Sequence, residues 1–411
     1  MRTATTLTTL IALVSVSIAQ AETAPSPSAS NNGNLIDSIH FFGNARLRYE
    51  YADIGGLSEA DVGSLRAYLG IKTDSIYGFK FLVEGEYTWV LTDSNRYSPF
   101  PGFLNGTRSV IADPDNFELN RLQLSYEAES LDTIITVGRQ HIKLVDERFV
   151  GSVPWRQNDQ TFDAVVLENK SFENLTITYA YIDQVNRIFG ENTPVSGLDH
   201  WDSDSHLVHL EYTGIEDNTL RAFAYLLDFK MSSAANSSNT YGLELQGKRE
   251  LNSGNKLAYL VTVATQEDAA SNAMNYREYY YRAQAGIERD AYDYGVGTEV
   301  FTSDGKSSFR IPLGTNHKFN GFSDVFLTTP AKGLVDYYAW IGTKALGFKH
   351  KLSLHKFHNE SGGTDLGWEV DYVAARPIGE NAKVVIKGAH LMGNGPQRDV
   401  TRASAEINYS F

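Results

Sequence analysis

Thr401-Arg-Ala-Ser-Ala-Glu-Ile-Asn-Tyr-Ser-Phe411 ends the chain and alternates without a break. Ala403, Ala405, Ile407, Tyr409 and Phe411 fall on one parity, and Arg402, Ser404, Glu406, Asn408 and Ser410 on the other. This is a strand with one apolar and one strongly polar face. A terminal strand so patterned is expected to close a sheet on itself, because an open edge invites aggregation. In a bacterial outer-membrane barrel its apolar face would meet lipid and its polar face a wet lumen.

Upstream the alternation hardly stops. Phe41, Gly43, Ala45, Leu47, Tyr49 and Tyr51 oppose Asn44, Arg46, Arg48 and Glu50. Phe81, Val83, Tyr87 and Trp89 oppose Lys80, Glu84 and Glu86; Leu366, Trp368, Val370 and Tyr372 repeat the pattern late in the chain. Such runs number about 18, each of roughly ten residues, the length that crosses a membrane when tilted. Long connections near 52–61, 92–116, 141–160, 183–205 and 302–333 alternate with short ones near 74–78, 128–131, 169–173 and 344–346. The expected fold is therefore all-β: a transmembrane antiparallel β-barrel over 36–411 with short periplasmic turns and long extracellular loops. Its last strand pairs back with the strand that holds Arg46 and Arg48.

The first residues supply the address. Arg2, an apolar run from Leu10 to Ile18 and Ala19-Gln20-Ala21 read as a secretory signal peptide over 1–21. Residues 22–35, rich in Ser, Pro, Ala and Asn, read as a flexible tail. Beyond the signal no stretch approaches the roughly 20 apolar residues of a membrane-spanning helix. The 23 Tyr, 21 Phe and 34 Gly suit strands, interfacial girdles and tight turns. The absence of Cys removes thiolate and disulfide chemistry. A net charge of −14 argues against nucleic acid as a partner. The expected location is the outer membrane of a Gram-negative bacterium, with lipid and lipopolysaccharide around the barrel.

Two blocks stand out. One is Gly138-Arg139-Gln140, Asp146-Glu147-Arg148-Phe149-Val150-Gly151 and Trp155-Arg156-Gln157-Asn158-Asp159-Gln160-Thr161-Phe162-Asp163-Ala164. The other is Pro312-Leu313-Gly314-Thr315, His317-Lys318-Phe319-Asn320-Gly321-Phe322-Ser323-Asp324 and Phe326-Leu327-Thr328-Thr329-Pro330. Both resemble the alginate-export family of outer-membrane barrels. The resemblance implies an 18-stranded barrel that passes an anionic polysaccharide or oligosaccharide through an arginine-rich constriction narrowed by folded loops. It also implies periplasmic export partners.

A conduit for carboxylates needs fixed cations facing water, and Arg suits this because its planar fork grips carboxylates and stays charged. Parity turns Arg46, Arg48, Arg66, Arg121, Arg221 and Arg282 into the lumen, with Lys80, Lys349, Lys351 and Lys387. Arg148 and Arg156 lie in the connection between the fifth and sixth strands. Arg139 ends its strand, and Ile134 and Ile135 blur its facing. Glu50, Glu84, Glu86, Glu211, Glu244, Glu288, Glu299, Glu369 and Asp371 also point inward, so each arginine either meets cargo or pairs across strands to shape the wall. Together the rows set the ion preference of a hydrated channel.

The 302–333 connection is too long to be passive. Either it folds inward, with His317, Lys318, Phe319 and Asn320 at a constriction, or it forms an ordered outer lid. Trp155 and Trp340 could stack on sugar rings, whereas Trp89 and Trp368, on outward parity, suit the membrane girdle. Asp199, Asp202 and Asp204 lack calcium-loop spacing, the ten His lack zinc spacing, and no nucleophile-elbow or P-loop motif occurs. No metal, cofactor or enzymatic activity is expected. The remaining alternatives are a general or cation-preferring diffusion porin, and uptake of oligosaccharides in place of export.

Overall fold

Alternation becomes eighteen strands. The computed structural model describes residues 38–251, 254–289 and 291–411, so the expected signal peptide (1–21) and tail (22–35) lie outside the described residues. The strands are β1 (Ile39–Ile54), β2 (Ala60–Thr73), β3 (Phe79–Val90), β4 (Asn116–Ala128), β5 (Thr133–Gln140) and β6 (Thr161–Phe172). Then come β7 (Leu175–Asn186), β8 (His200–Ile215), β9 (Asn218–Leu227), β10 (Ser238–Glu250), β11 (Lys256–Asp268) and β12 (Arg277–Arg289). The last are β13 (Tyr292–Phe301), β14 (Leu334–Ala345), β15 (Phe348–His358), β16 (Asp365–Ile378), β17 (Ala382–Gly393) and β18 (Val400–Ser410).

Each strand pairs antiparallel with the next, and β1 pairs with both β2 and β18, so the sheet closes and leaves no strand edge. In the closing seam Arg46 stands opposite Asn408 and Arg48 opposite Glu406. Phe411 completes it: its backbone N–H and C=O bond Gly43 at 3.0 Å each way. A Cβ at position 43 would lie 2.4 Å from the Phe411 ring, so the aromatic terminus has a seat only on glycine.

The two faces separate as alternation requires. Leu47, Tyr49, Leu69, Val261, Tyr281, Leu352 and Ile407 are exposed on the outside. On the opposite parity Arg48, Glu50, Glu84 and Glu369 are buried within the lumen. A band of outward aliphatic and aromatic side chains around a closed barrel is stable in lipid and insoluble in water. The chain is an outer-membrane barrel of the Gram-negative type. Trp89 and Trp368 sit on this outer surface.

Short turns such as 346–347 alternate with longer connections such as 91–115, 141–160 and 302–333. The connection expected at 52–61 is only 55–59, because β1 runs on for 16 residues. The 141–160 and 302–333 connections fold into the barrel. Phe149, Phe309, Leu313 and Phe326 pack there against Phe223, Tyr280, Phe301 and Phe357 of the wall, giving the long-loop half of the barrel a packed core.

Candidate functional site

The two blocks singled out in the sequence meet each other. Val150 and Leu313 form a short parallel bridge, and Gly151 N–H donates to Leu313 O at 2.9 Å. Thr315 N–H donates to Glu147 O at 2.9 Å, while its hydroxyl donates to the Glu147 carboxylate at 2.8 Å. Glycine is required on both sides by close approach. A Cβ on Gly151 would lie 2.3 Å from Thr315 Oγ1, and one on Gly314 would lie 2.3 Å from Arg148 O. The 302–333 segment is therefore an inward plug and not an outer lid.

Arginines bolt this seam to the wall. Arg148 is buried, grips both oxygens of Glu299 at 3.0 and 2.9 Å, and donates to Asn320 Oδ1 at 2.7 Å. Arg156 donates to Asp324 at 2.7 Å and reaches Glu50 at 3.2 Å. Arg46 donates to the carbonyls of Pro154 and Arg156 at 3.0 Å each. Arg48 bonds Trp155 O at 2.5 Å and Glu50 at 2.8 Å, and its guanidinium lies 3.5 Å over the Trp155 ring. Charge-assisted bonds of this kind, several per side chain, give the inner loops one geometry.

The other arginines pair along the wall, except that Arg282 of β12 reaches the 141–160 loop. Arg66 lies over Tyr68 and donates to its hydroxyl at 2.9 Å. Arg121 forks onto Glu84 at 2.9 and 2.7 Å. Arg221 joins Glu211 and Glu244 at 2.7 and 2.9 Å, and Arg282 holds Asp146 at 2.6 Å. Arg139 is the exception to a lumenal position. It stands opposite Leu122 in register, on the face of the exposed Val137 and Leu124, and pairs with Asp163 and Glu191. Beside it Gly138 has a left-handed φ of +113°.

In the 302–333 plug the four residues expected at a constriction lie together. His317 stacks on Trp155 with ring centroids 4.1 Å apart and planes 3° from parallel. Phe319 sits under Arg148 and Arg282, 4.5 and 5.0 Å from their guanidinium carbons. Asn320 donates to Glu299 and Asp336, and Lys318 donates to Glu147. His317 Nδ1 meets Asp324 at 2.6 Å and its Nε2 meets Lys387 Nζ at 3.0 Å. Burial pushes His317 down to about 3. It is therefore neutral, donating to Asp324 and accepting from Lys387. Burial works against the Asp324 charge, but His317 and the Arg156 guanidinium hold its carboxyl well below the usual range.

Glu50, one of the inward acids expected to pair with arginine, and Asp324 are the acids of the seam; neither Asp324 nor Arg402, which donates to Ser323 O at 2.8 Å, stands out as a site residue in the sequence. Strand parity marks Glu50 and Arg402 as inward, but no local signal tells which loop residue each will meet. Between the plug and the β12–β17 wall a cavity of about 500 Å³ remains, lined among others by Arg282, Lys318, Phe322, Tyr338, Lys351 and Lys387. Among the described residues no group of three or more His, Cys, Asp or Glu could hold a metal ion.

No family model and no curated protein matches the chain. Solved structures do. It is similar to Pseudomonas aeruginosa OccK9 (OpdG), with a TM-score of 0.74 and 16% identity, covering 92% of this chain and 100% of that one. Acinetobacter baumannii OccAB2 gives 0.74 and 15%, covering 92% and 99%. Pseudomonas aeruginosa OpdK, solved with vanillate, gives 0.72 and 13%, covering 92% and 100%. These Occ/Opd outer-membrane channels share the 18-stranded barrel, and they overturn the alginate-export resemblance. Physically, the blocks that carried it are the two halves of an inter-loop seam. They report how the two loops lock together inside the barrel, not what passes through it.

Proposed function

We propose that this barrel is a passive diffusion channel through which small organic solutes, carboxylates foremost, enter the cell. The observation that carries the reading is the plug. Two loops locked together inside the barrel leave a cavity of about 500 Å³, the size of a site for one drug-sized molecule. Lys351, Lys387, Lys318 and Arg282 around that cavity supply cations for an anionic group. The solved structure of OpdK with vanillate, a small organic anion, supports the same size class.

A second reading, a cation-preferring pore, draws on Asp336 and Asp371, which line the same cavity. Reversal potential in a planar bilayer separates the two. Under a salt gradient the proposal expects anion preference, reduced when Lys351 and Lys387 become Gln. Cation preference in the unaltered channel would replace it with the second reading.

A further inference from the structure

The short turns on the periplasmic side divide into two arcs of opposite charge. The links β4–β5, β6–β7 and β8–β9 expose Glu129, Asp132, Glu173, Glu216 and Asp217. None of these carboxylates forms an ion pair among the described residues. On the other arc, the turn-side ends of β10 and of β14 to β17 expose Arg249, Lys344, Lys349, Arg376 and Lys383. These cations form no ion pair among the described residues either; Arg376 only rests over the Phe348 ring at 5.6 Å. The acids described on this arc are occupied, Glu250 and Glu288 by Lys256 and Lys248 and Asp293 by the Trp340 indole, apart from Glu380.

Lys344 and Lys349 stand directly opposite each other in the β14–β15 register. Like charges so placed weaken a hairpin, and one acidic residue at either position would remove the cost. Both are exposed, with room for a counter-charge from outside the chain. Lys344, Lys349 and Lys383 also lie on the lumen parity of their strands, with Trp340, His355 and Lys387 respectively. They rim the mouth of the barrel and turn away from the surrounding lipid.

We infer that this basic arc is a docking surface for a carboxylate-bearing polymer beneath the outer membrane, the peptide-bridged glycan of the cell wall. Charge complementarity selects such a partner, because a row of unpaired cations matches an extended polyanion. Strands lie about 4.8 Å apart, so β10 to β17 spread these cations over roughly 35 Å of the rim, the reach of a polymer and not of a small ion. Anionic phospholipid fits less well, since the three lysines face the lumen side. An acidic protein fits less well too. Its interface would need an apolar core, and the exposed aliphatics here are one per turn, Leu251, Leu346 and Ile378. The acidic arc opposite repels the polymer, so the wall is held on one side of the mouth only.

Co-sedimentation of the full barrel, in non-ionic detergent micelles, with protein-free cell-wall sacculi tests this. The barrel should pellet with sacculi at about 0.02 M salt and be released at about 0.5 M. Lys344→Gln with Lys349→Gln and Lys383→Gln should weaken retention about three- to tenfold. Amidating the carboxylates of the sacculi should do the same to the native barrel. Glu129→Gln with Glu216→Gln and Asp217→Asn, an equal change in charge on the acidic arc, should bind at least as tightly. Gel mobility before and after heating shows that each variant is folded. No retention at low salt, or retention indifferent to the lysine changes or to amidation, would overturn the inference. So would lysine-dependent retention on phosphatidylglycerol vesicles with none on sacculi, which would assign the arc to lipid.

Discussion

The indole of Trp155 and the imidazole of His317 lie parallel, 4.1 Å apart, and join two loops separated in the chain by the eight strands β6 to β13. Arg48 covers the indole 3.5 Å from its centre, and Lys387 Nζ stands 3.6 Å from it. The stack is thus a hub at which β1, β17 and both loops meet.

Trp155→Ala should free the plug. Losing the stack and its cations removes on the order of 1–3 kcal/mol of local coupling. Single-channel recordings should show higher conductance with more frequent fluctuations, while the barrel itself still assembles. An unchanged conductance would mean that the stack does not narrow the pore.

Arg148→Met should be more damaging than any exposed arginine change, because it takes the two-pronged cation from buried Glu299 and leaves that carboxylate only Tyr280, Asn320 and the more distant Arg282. Breaking one side of a buried pair costs about 3–5 kcal/mol. The temperature at which the barrel loses its folded mobility on a gel should fall clearly, and Arg148→Met with Glu299→Gln should recover much of the loss. If the double variant melts no higher than the single one, the buried pair is not the cause.

Acid should loosen the seam. His317 is held at about 3 against an ordinary 6.5, so the folded state binds fewer protons there than the unfolded chain. Stability from this site is present above 6.5 and is lost as pH falls toward 3. Protonation would set an Nε2–H against the Lys387 ammonium, with Arg156 close by and Asp324, Glu50 and Glu406 as acids facing the cluster. Conductance noise should rise between pH 7 and 4 in the native channel but not in His317→Phe, which keeps the stack and cannot be protonated. Equal acid sensitivity in both would assign the effect elsewhere.

Closure of the barrel makes a separate prediction at Gly43. Gly43→Val places side-chain carbon where the Phe411 ring sits, and deletion of Tyr409–Phe411 removes the ring and its two backbone bonds. Both changes should reduce the amount of heat-modifiable barrel in the outer membrane, the deletion nearly completely, while secretion continues. Normal barrel levels in the deletion would show that the terminal aromatic is dispensable.

Much of this architecture is legible in the chain because sheet periodicity is local: Leu47 outward and Arg48 inward can be read from their neighbours alone. Loop parity extends this to the closed barrel and its orientation. The site is less legible because its bonds are remote. Arg148 meets Glu299 across 151 residues and Arg156 meets Asp324 across 168, distances over which composition carries no pairing signal. Gly151 and Gly314 are conspicuous within their blocks, but their cause is a contact between loops, which the residue types alone do not reveal.

Liposome swelling with the purified barrel tests the small-solute channel most directly. Benzoate-sized anions should enter and swell the vesicles, and a uronic-acid trimer should not, with Trp155→Ala admitting larger solutes than the native protein does. Entry of the trimer at a rate near that of the small anions, or no swelling with any small anion, would contradict the account.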